Sequence, residues 1–120
     1  KTLDMVYDPV GGDVSDPAFR SLSPGGRFLV VGFASGTIPS IPLNLPLLKQ
    51  SAIMGVDWGG AMRADPTLTP ALQSTLFKWI EDGRLIPAEV SSRPLSEAAL
   101  ALSDQISGKV IGKLVLKGGE

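Results

Sequence analysis

The sequence has 120 residues, 43% of them hydrophobic and 19% charged, and 11 basic and 12 acidic side chains give a net charge of −1. This length and composition suit one compact domain with a packed core, and they exclude a disordered chain, the basic stripe of a nucleic-acid-binding protein and an apolar run long enough to span a bilayer. Because cysteine and histidine are both absent, disulfides, Ser-His or Cys-His catalysis and the soft ligands of a usual zinc site are excluded within this chain.

The first part of the chain predicts a strand, a helix and a second strand. Residues 3–7 are apolar, with β-branched and aromatic members, and predict a buried strand that ends at Asp8-Pro9. Asp16 is expected to cap a helix that has Pro17 in its first turn. This helix is expected to end at residues 24–26. Its expected inward side chains are Ala18, Phe19 and Leu22.

A continuous apolar run at residues 27–31 predicts the second strand, buried on both faces as in a parallel sheet covered by helices. Residues 32–46 are rich in Gly, Pro and Ser and predict a loop, followed by a turn of helix at residues 45–49. Residues 51–58 predict a third strand, which the pair Gly59-Gly60 is expected to end.

The second half predicts a long helix, a short extended segment, a last helix and a last strand. The long helix runs from Thr69-Pro70 to Glu81, with glycine at the position after its end in Asp82-Gly83. Its apolar face predicts Trp79 to be a core residue. The later elements are an extended piece at 85–90, a helix capped by Ser96 and ending near Ile106 with Ala99, Leu102 and Ile106 inward, and a strand at 113–116.

Strands that alternate with helices indicate an α/β fold with a parallel sheet and right-handed crossovers. We therefore predict part of a doubly wound, Rossmann-type sheet with flanking helices over residues 1–120. Ligands of such sheets bind outside the carboxyl ends of the strands.

Glycine lies at the ends of the first three predicted strands, at Gly11-Gly12, at Gly32 to Gly36, and at Gly55 with Gly59-Gly60. Such glycines let a flat ring or a phosphate approach the backbone, although any turn uses glycine in the same way. No G-x-G-x-x-G or P-loop lysine motif is present. A complete dinucleotide site is therefore not encoded in this chain.

A few side chains near these strand ends have both a functional and an ordinary interpretation. Asp8 and Asp57 could each be a base, although a lone carboxylate at a strand end is more often a turn or cap residue. Trp58 is interpreted as a packing residue at the rim. Lys109 and Lys113 could meet a phosphate, although two lysines before a strand are usually solvated.

An ordered series of motifs resembles the medium-chain dehydrogenase/reductase superfamily, and within it the zeta-crystallin-like quinone oxidoreductase branch. The series covers essentially the whole chain. It consists of Val-Tyr-Asp-Pro-Val-Gly-Gly-Asp at 6–13, Gly-Gly-Arg-Phe-Leu-Val-Val-Gly-Phe-Ala-Ser-Gly at 25–36, Ile-Pro at 38–39 with Pro-Leu-Asn at 42–44 and Leu-Leu-Lys at 47–49, Gly-Val-Asp-Trp-Gly at 55–59, Gly-Arg-Leu-Ile-Pro at 83–87, Pro-Leu-Ser-Glu-Ala-Ala at 94–99 and Gly-Lys-Leu-Val-Leu at 112–116.

The resemblance implies the C-terminal part of an NAD(P)-binding domain, with the catalytic domain and the first β-α-β unit absent from this chain. It implies NADPH as cofactor, no catalytic zinc, hydride transfer to a quinone or an activated alkene, and an inactive chain when isolated. The chemistry is that of the cofactor, so no catalytic residue is assigned. The cofactor contacts that it implies are Val31, Gly32, Phe33 and Ala34 at the nicotinamide, Val56, Asp57 and Trp58 near its carboxamide, and Gly11 near the adenosine-side ribose.

The resemblance also implies a homodimer, paired through the strand at residues 51–58, and a small-molecule substrate of the parent enzyme. Charge and composition predict no nucleic-acid or membrane partner, and a cytoplasmic location is expected because nothing in the sequence contradicts it. Since the resemblance places Gly32 against the nicotinamide, a side chain there is expected to obstruct the cofactor. The fold is expected to stay intact, because strand formation stops at Gly32. Three alternatives stay open: a stand-alone α/β interaction or dimerisation module, a relative of zinc-containing alcohol dehydrogenases, and another Rossmann-type protein such as a methyltransferase, which the 32–36 glycine series fits poorly.

Overall fold

The computed structural model describes residues 2–119, which form two compact units, one up to Pro66 and one from Thr67 onward. Each unit contains parallel strands connected through helices, so the predicted parallel α/β class is confirmed. The described strands form two parallel sheets, one of three strands and one of two. The assignment of all 120 residues to one nucleotide-binding domain stays a prediction.

The first unit is built on a parallel sheet with the strand order β1-β2-β3. The strands are β1 (Leu3–Asp8), β2 (Leu22–Val30) and β3 (Ala52–Gly55). The helical segments are a 3-10 turn (Gly12–Val14) leading into α1 (Ser15–Arg20), then α2 (Asn44–Lys49) and α3 (Trp58–Ala64). All three strands therefore end on the same edge of the sheet.

The core of this unit lies between the sheet and its first two helices. Phe19 and Leu22, both expected to face inward, are fully buried, and Phe28 and Leu45 complete the cluster. The rings of Phe19 and Phe28 lie 5.7 Å apart in a tilted arrangement, which is within the favourable range for aromatic pairs. This cluster fixes α1 against β2.

Three details of the first unit differ from expectation. β1 is not buried, since Leu3 is 46% and Tyr7 65% exposed. Asp16 is not the helix cap, because α1 begins one residue earlier and the Asp16 carboxylate pairs with Arg20 at 2.7 Å on the exposed face. α1 ends at Arg20 rather than at residues 24–26, so β2 begins at Leu22 rather than at residue 27, and a break in its register with β1 accommodates residues 23–26.

The third strand is shorter than predicted, and a helix follows it. β3 ends at Gly55, and Asp57 then caps α3 by accepting a hydrogen bond from the Gly60 amide at 2.8 Å. A side-chain cap of this kind contributes about 1 kcal/mol, similar in size to the helix penalty of one glycine. Gly59 and Gly60 therefore lie inside a helix that the sequence reasoning missed.

The second unit contains two paired parallel strands and two α-helices. Its elements are α4 (Leu68–Glu81), β4 (Val90–Pro94), a 3-10 turn (Leu95–Glu97), α5 (Ala98–Ile106) and β5 (Lys113–Lys117). The long helix, its glycine at φ +67° after the end, and the last strand are confirmed.

Other expectations for the second unit are wrong. The buried side chain of α5 is Ala101, whereas Leu102 and Ile106 are 62% and 88% exposed, and Ser96 makes no capping hydrogen bond. Trp79 is 38% exposed, with the Arg84 guanidinium 5.2 Å from its ring centre. A two-stranded sheet with two helices offers little area for burial, so apolar helix faces stay open within this unit. Among the described residues no helix is long and apolar enough to cross a membrane.

Candidate functional site

A cleft of about 500 Å³ opens at the carboxyl ends of β2 and β3. It is lined by residues 30–33, where β2 ends and its loop begins, and by residues 55–59, where β3 passes into α3. The two segments meet because β2 and β3 pair in parallel, with Val30 opposite Gly55. The cleft thus lies where ligands bind in open α/β sheets.

Most of the sequence-predicted cofactor residues come together in this cleft. Those that line it are Val31, Gly32, Phe33, Val56, Asp57 and Trp58. Ala34 and Gly11 do not line it: the Ala34 amide donates to the Pro9 carbonyl at 3.1 Å, and Gly11 is buried close to the Phe33 ring. Two distant stretches of sequence therefore share one cleft, while the other two residues lie outside its lining.

The lining is largely apolar and carries one negative charge. Its side chains are aliphatic or aromatic apart from Asp57, and none of its residues is basic. Phe33 is 41% and Trp58 is 55% exposed, so an aromatic ring from each segment is accessible to a ligand. Such a surface suits an uncharged flat ring better than a phosphate, which needs cations or clustered amide donors.

Two glycines shape the backbone of the cleft in different ways. At Gly55 no atom lies within 4 Å of the place that a Cβ would take, so the strand presents open backbone to the cleft. At Gly32 a Cβ would come within 3.2 Å of the Pro9 carbonyl oxygen. The expectation that the fold tolerates a side chain at Gly32 therefore overlooks this close backbone approach.

Consecutive backbone hydrogen bonds tie the loop after β2 to the loop after β1. We call residues 9–12 the β1 loop and residues 31–37 the β2 loop. The Asp8 carbonyl, at the end of β1, accepts from the amides of Val31 at 2.9 Å and Gly32 at 3.3 Å, and the Val10 carbonyl accepts from Ser35 at 2.9 Å. Among the described residues, no acceptor for the intervening Phe33 amide is present. The β2 loop is thus held along its length, with one donor left for a ligand.

Asp8 lies behind the cleft and acts as a turn residue. Its carboxylate is buried and accepts from the amides of Val10 and Gly11, each at 2.9 Å, and from the Ser15 hydroxyl at 2.6 Å. Burial raises the pKa of Asp8, but these three donors outweigh it and lower the pKa below its usual 3.8. The group is therefore ionised at neutral pH and fully used in hydrogen bonds, so a role as a base is not supported.

The second carboxylate considered as a base, Asp57, is a helix cap. Besides the Gly60 amide it lies 3.9 Å from the Arg63 guanidinium, in an exposed pair that contributes little to stability.

Lys109, in the second unit, lies 3.7 Å from Asp104, which also pairs with Arg93 at 2.8 Å. Among residues 2–119 no group of three or more acidic, Cys or His residues is arranged to hold a metal ion.

Comparisons with known proteins agree on one family. Residues 1–116 match the family described as zinc-binding dehydrogenase. Quinone oxidoreductase-like protein 2 of Bos taurus is 39% identical over 115 residues, which are 95% of this chain and 33% of that protein. The chain thus spans about a third of the length of the quinone oxidoreductase-like relatives it matches.

Solved structures give the same picture. A mycobacterial protein complexed with NADPH is 25% identical, with a TM-score of 0.82 over 96% of this chain and 35% of its own. A quinone oxidoreductase from Pseudomonas syringae pv. Tomato DC3000 is also 25% identical, with a TM-score of 0.75 over 97% of this chain and 36% of its own. The resemblance inferred from the motifs is therefore confirmed.

Proposed function

The chain belongs to the zinc-binding dehydrogenase family, in its quinone oxidoreductase-like branch, and from this membership we propose that it forms the nicotinamide side of an NADPH site. In this proposal the reaction is hydride transfer from NADPH to a quinone or an activated alkene. The mycobacterial relative with NADPH and the Pseudomonas quinone oxidoreductase support the cofactor and the acceptor class.

The observation that carries the proposal is the cleft at the ends of β2 and β3. Six residues that the family resemblance assigns to the nicotinamide and its carboxamide line one space of about 500 Å³, although residue 56 follows residue 33 by 23 positions. That space lies at the carboxyl edge of a parallel sheet, where the strand ends leave backbone groups for a ligand.

The residues present fit a nicotinamide ring. Gly55 leaves a backbone surface that no neighbouring atom covers, which allows close approach of a flat ring. The Phe33 amide, which has no acceptor among the described residues, would supply a hydrogen bond to the carboxamide oxygen. The lining carries no cation for a pyrophosphate, so the remainder of the dinucleotide needs other contacts.

When bound, NADPH supplies the hydride, and the protein's own part is to hold and shield the ring. Val31 and Val56 would contact it from the two strand ends. Phe33 and Trp58, both partly exposed, would limit water at the opening of the cleft. A reacting ring held in one orientation reacts faster because its rotational freedom is lost on binding rather than in the transition state.

We also propose that this chemistry needs no zinc. The support is the likeness to quinone oxidoreductase-like relatives. Metal analysis of the NADPH-binding protein before and after treatment with a chelator tests this point. Unchanged NADPH binding by metal-free protein agrees with it, and a loss of binding that zinc restores contradicts it.

Titration of the ¹⁵N-labelled chain with NADPH, and separately with reduced nicotinamide mononucleotide and 2′,5′-ADP, tests the proposed site. The two nicotinamide compounds are expected to shift the amides of Gly32, Phe33 and Val56 in common, and 2′,5′-ADP is expected to leave them in place. Shifts confined to residues outside the cleft, or caused by 2′,5′-ADP alone, would contradict the proposal.

A dimerisation role is a second candidate, favoured by the position of β3. Among the described strands it lies at the edge of the first sheet, and Ile53 and Met54 are 42% and 49% exposed. An unpaired apolar edge strand readily pairs with a second copy. The homodimer through residues 51–58 is thus retained as a proposal, with β3 itself covering only Ala52–Gly55.

A further inference from the structure

The Asp8 carboxylate organises the β1 loop from within. Its Oδ1 accepts from both the Val10 and the Gly11 amides, and its Oδ2 accepts from Ser15, the first residue of α1. Asp8 is 7% exposed and Ser15 is fully buried. Hydrogen bonds to an ionised group are shorter and about twice as strong as neutral ones. One side chain thereby connects the end of β1, the loop and the start of α1.

The turn held by Asp8 has a backbone shape that few residues adopt. Gly11 has φ +69° and ψ −159°, and Gly12 follows with φ +65°. A Cβ on Gly11 would lie 2.9 Å from both the Phe33 ring and the Thr37 carbonyl oxygen. Without its internal acceptor this turn would have two amides to satisfy, that of Gly11 in a buried place and that of Val10 in a partly buried one, which disfavours the conformation.

The β2 loop is bonded directly to this turn. The backbone carbonyls of Asp8, Pro9 and Val10 accept from four amides of the β2 loop, those of Val31, Gly32, Ala34 and Ser35, at 2.9 to 3.3 Å. In the other direction, the Gly12 amide donates to the Thr37 carbonyl at 2.9 Å. Movement of the turn would therefore displace Ala34 and Ser35 and, through the chain, the adjoining lining residue Phe33, whose ring lies close to Gly11.

We infer that Asp8 is a positioning residue for the cleft: its carboxylate fixes the β1 loop, whose carbonyls fix the β2 loop that lines the nicotinamide site. The inference rests on the proposed function for its ligand. Asp8 contacts neither the cleft nor the ring, since it is not among the lining residues. Its effect on the cofactor therefore passes through the two loops.

Three variants and one matched control test this role. Asp8→Ala removes all three acceptor contacts, Asp8→Asn keeps one oxygen for the Val10 and Gly11 amides, and Ser15→Ala removes only the donor to Oδ2. Asp16→Ala is the control, because Asp16 is a carboxylate of the same region whose partner is the exposed Arg20. NADPH affinity is measured by titration well below each variant's unfolding temperature.

Asp8→Ala is expected to raise the Kd for NADPH at least about tenfold, Asp8→Asn and Ser15→Ala by about threefold each, and Asp16→Ala not at all. In the free protein, the amide resonances of Phe33 and Ala34 are expected to shift in Asp8→Ala, while that of Ile53 in β3 stays in place. Partial rescue by Asp8→Asn and this loop-specific shift distinguish positioning from a general loss of stability.

The outcomes separate this inference from the proposed function. Wild-type protein that binds no NADPH in the cleft overturns the proposed function, and the Phe33 and Ala34 shifts still decide whether Asp8 positions the loop. NADPH binding that is equal in wild type and Asp8→Ala overturns the positioning role alone. If Asp8→Ala does not fold, equal affinities in Asp8→Asn, Ser15→Ala and wild type overturn it, and reduced affinities in both support it.

Discussion

Replacing Gly55 by valine should separate cofactor binding from folding. A Cβ at this position meets no atom within 4 Å, and the backbone does not have the positive φ that would exclude a side chain. Gly55 lies in β3, opposite Val30, and glycine within a strand is less stable than alanine by roughly 0.5–1 kcal/mol. A β-branched residue suits a strand, so the free energy of unfolding should be unchanged or slightly higher.

Binding should change in the opposite direction, because the new isopropyl group would occupy part of the cleft. Forcing extra methyl groups into an occupied site costs about 1–3 kcal/mol, which raises Kd by about 5- to 150-fold. The assay measures the NADPH Kd and the thermal unfolding of the same preparation. Gly118→Val is the matched control: its Cβ also meets no atom within 4 Å, and it lies outside the cleft.

Gly32→Val provides a useful contrast. Its Cβ would lie 3.2 Å from the Pro9 carbonyl oxygen, a backbone atom that cannot turn away, so this variant is expected to lose both affinity and stability. A loss of about 1 kcal/mol lowers Tm by roughly 4 °C in a chain of this size. The reasoning is refuted if Gly55→Val binds NADPH like wild type, or if it loses as much stability as Gly32→Val.

The remaining predictions concern activity, assembly, pH and a helix cap. The isolated chain should oxidise no NADPH with any quinone, because it contains no G-x-G-x-x-G turn; measurable turnover would contradict this. Sedimentation at high concentration should show self-association that Met54→Lys abolishes, whereas a strictly monomeric wild type would argue against pairing through β3. Since folding lowers the pKa of Asp8, its contribution to stability is present above pH 3.8 and is lost as pH falls through the lower native pKa; Asp8→Asn should flatten that part of the unfolding curve. Asp57→Ala should destabilise α3 by about 1 kcal/mol, seen as faster amide exchange at Gly60.

The strands and the cleft were predictable where the signal is local. All but the last residue of the apolar run at 27–31 and the whole run at 113–116 lie in observed strands, and the helix expected to begin at Thr69 begins one residue earlier. The glycines after successive strands indicated a ligand edge, because parallel strands bring their carboxyl ends together. The family motifs supplied the individual residues that line the cleft.

Other features depend on contacts that a sequence pattern does not contain. Asp57 caps α3 through one hydrogen bond, so the Gly59-Gly60 pair, which was expected to end a strand, lies in the first turn of a helix. The role of Asp8 depends on Ser15, seven positions away, and on carbonyls that hold a loop beginning at Val31. The Asp8-Pro9 sequence predicted that Asp8 is a turn residue. That prediction covers its local hydrogen bonds but not its effect on the cleft.

The most direct test of the account is a set of intermolecular nuclear Overhauser effects between bound NADPH and the chain. The account predicts contacts from the nicotinamide ring protons to the methyl groups of Val31 and Val56 and to the Gly55 α-protons. Contacts to these groups from the adenine protons instead, or nicotinamide contacts only to residues outside the cleft, would contradict it.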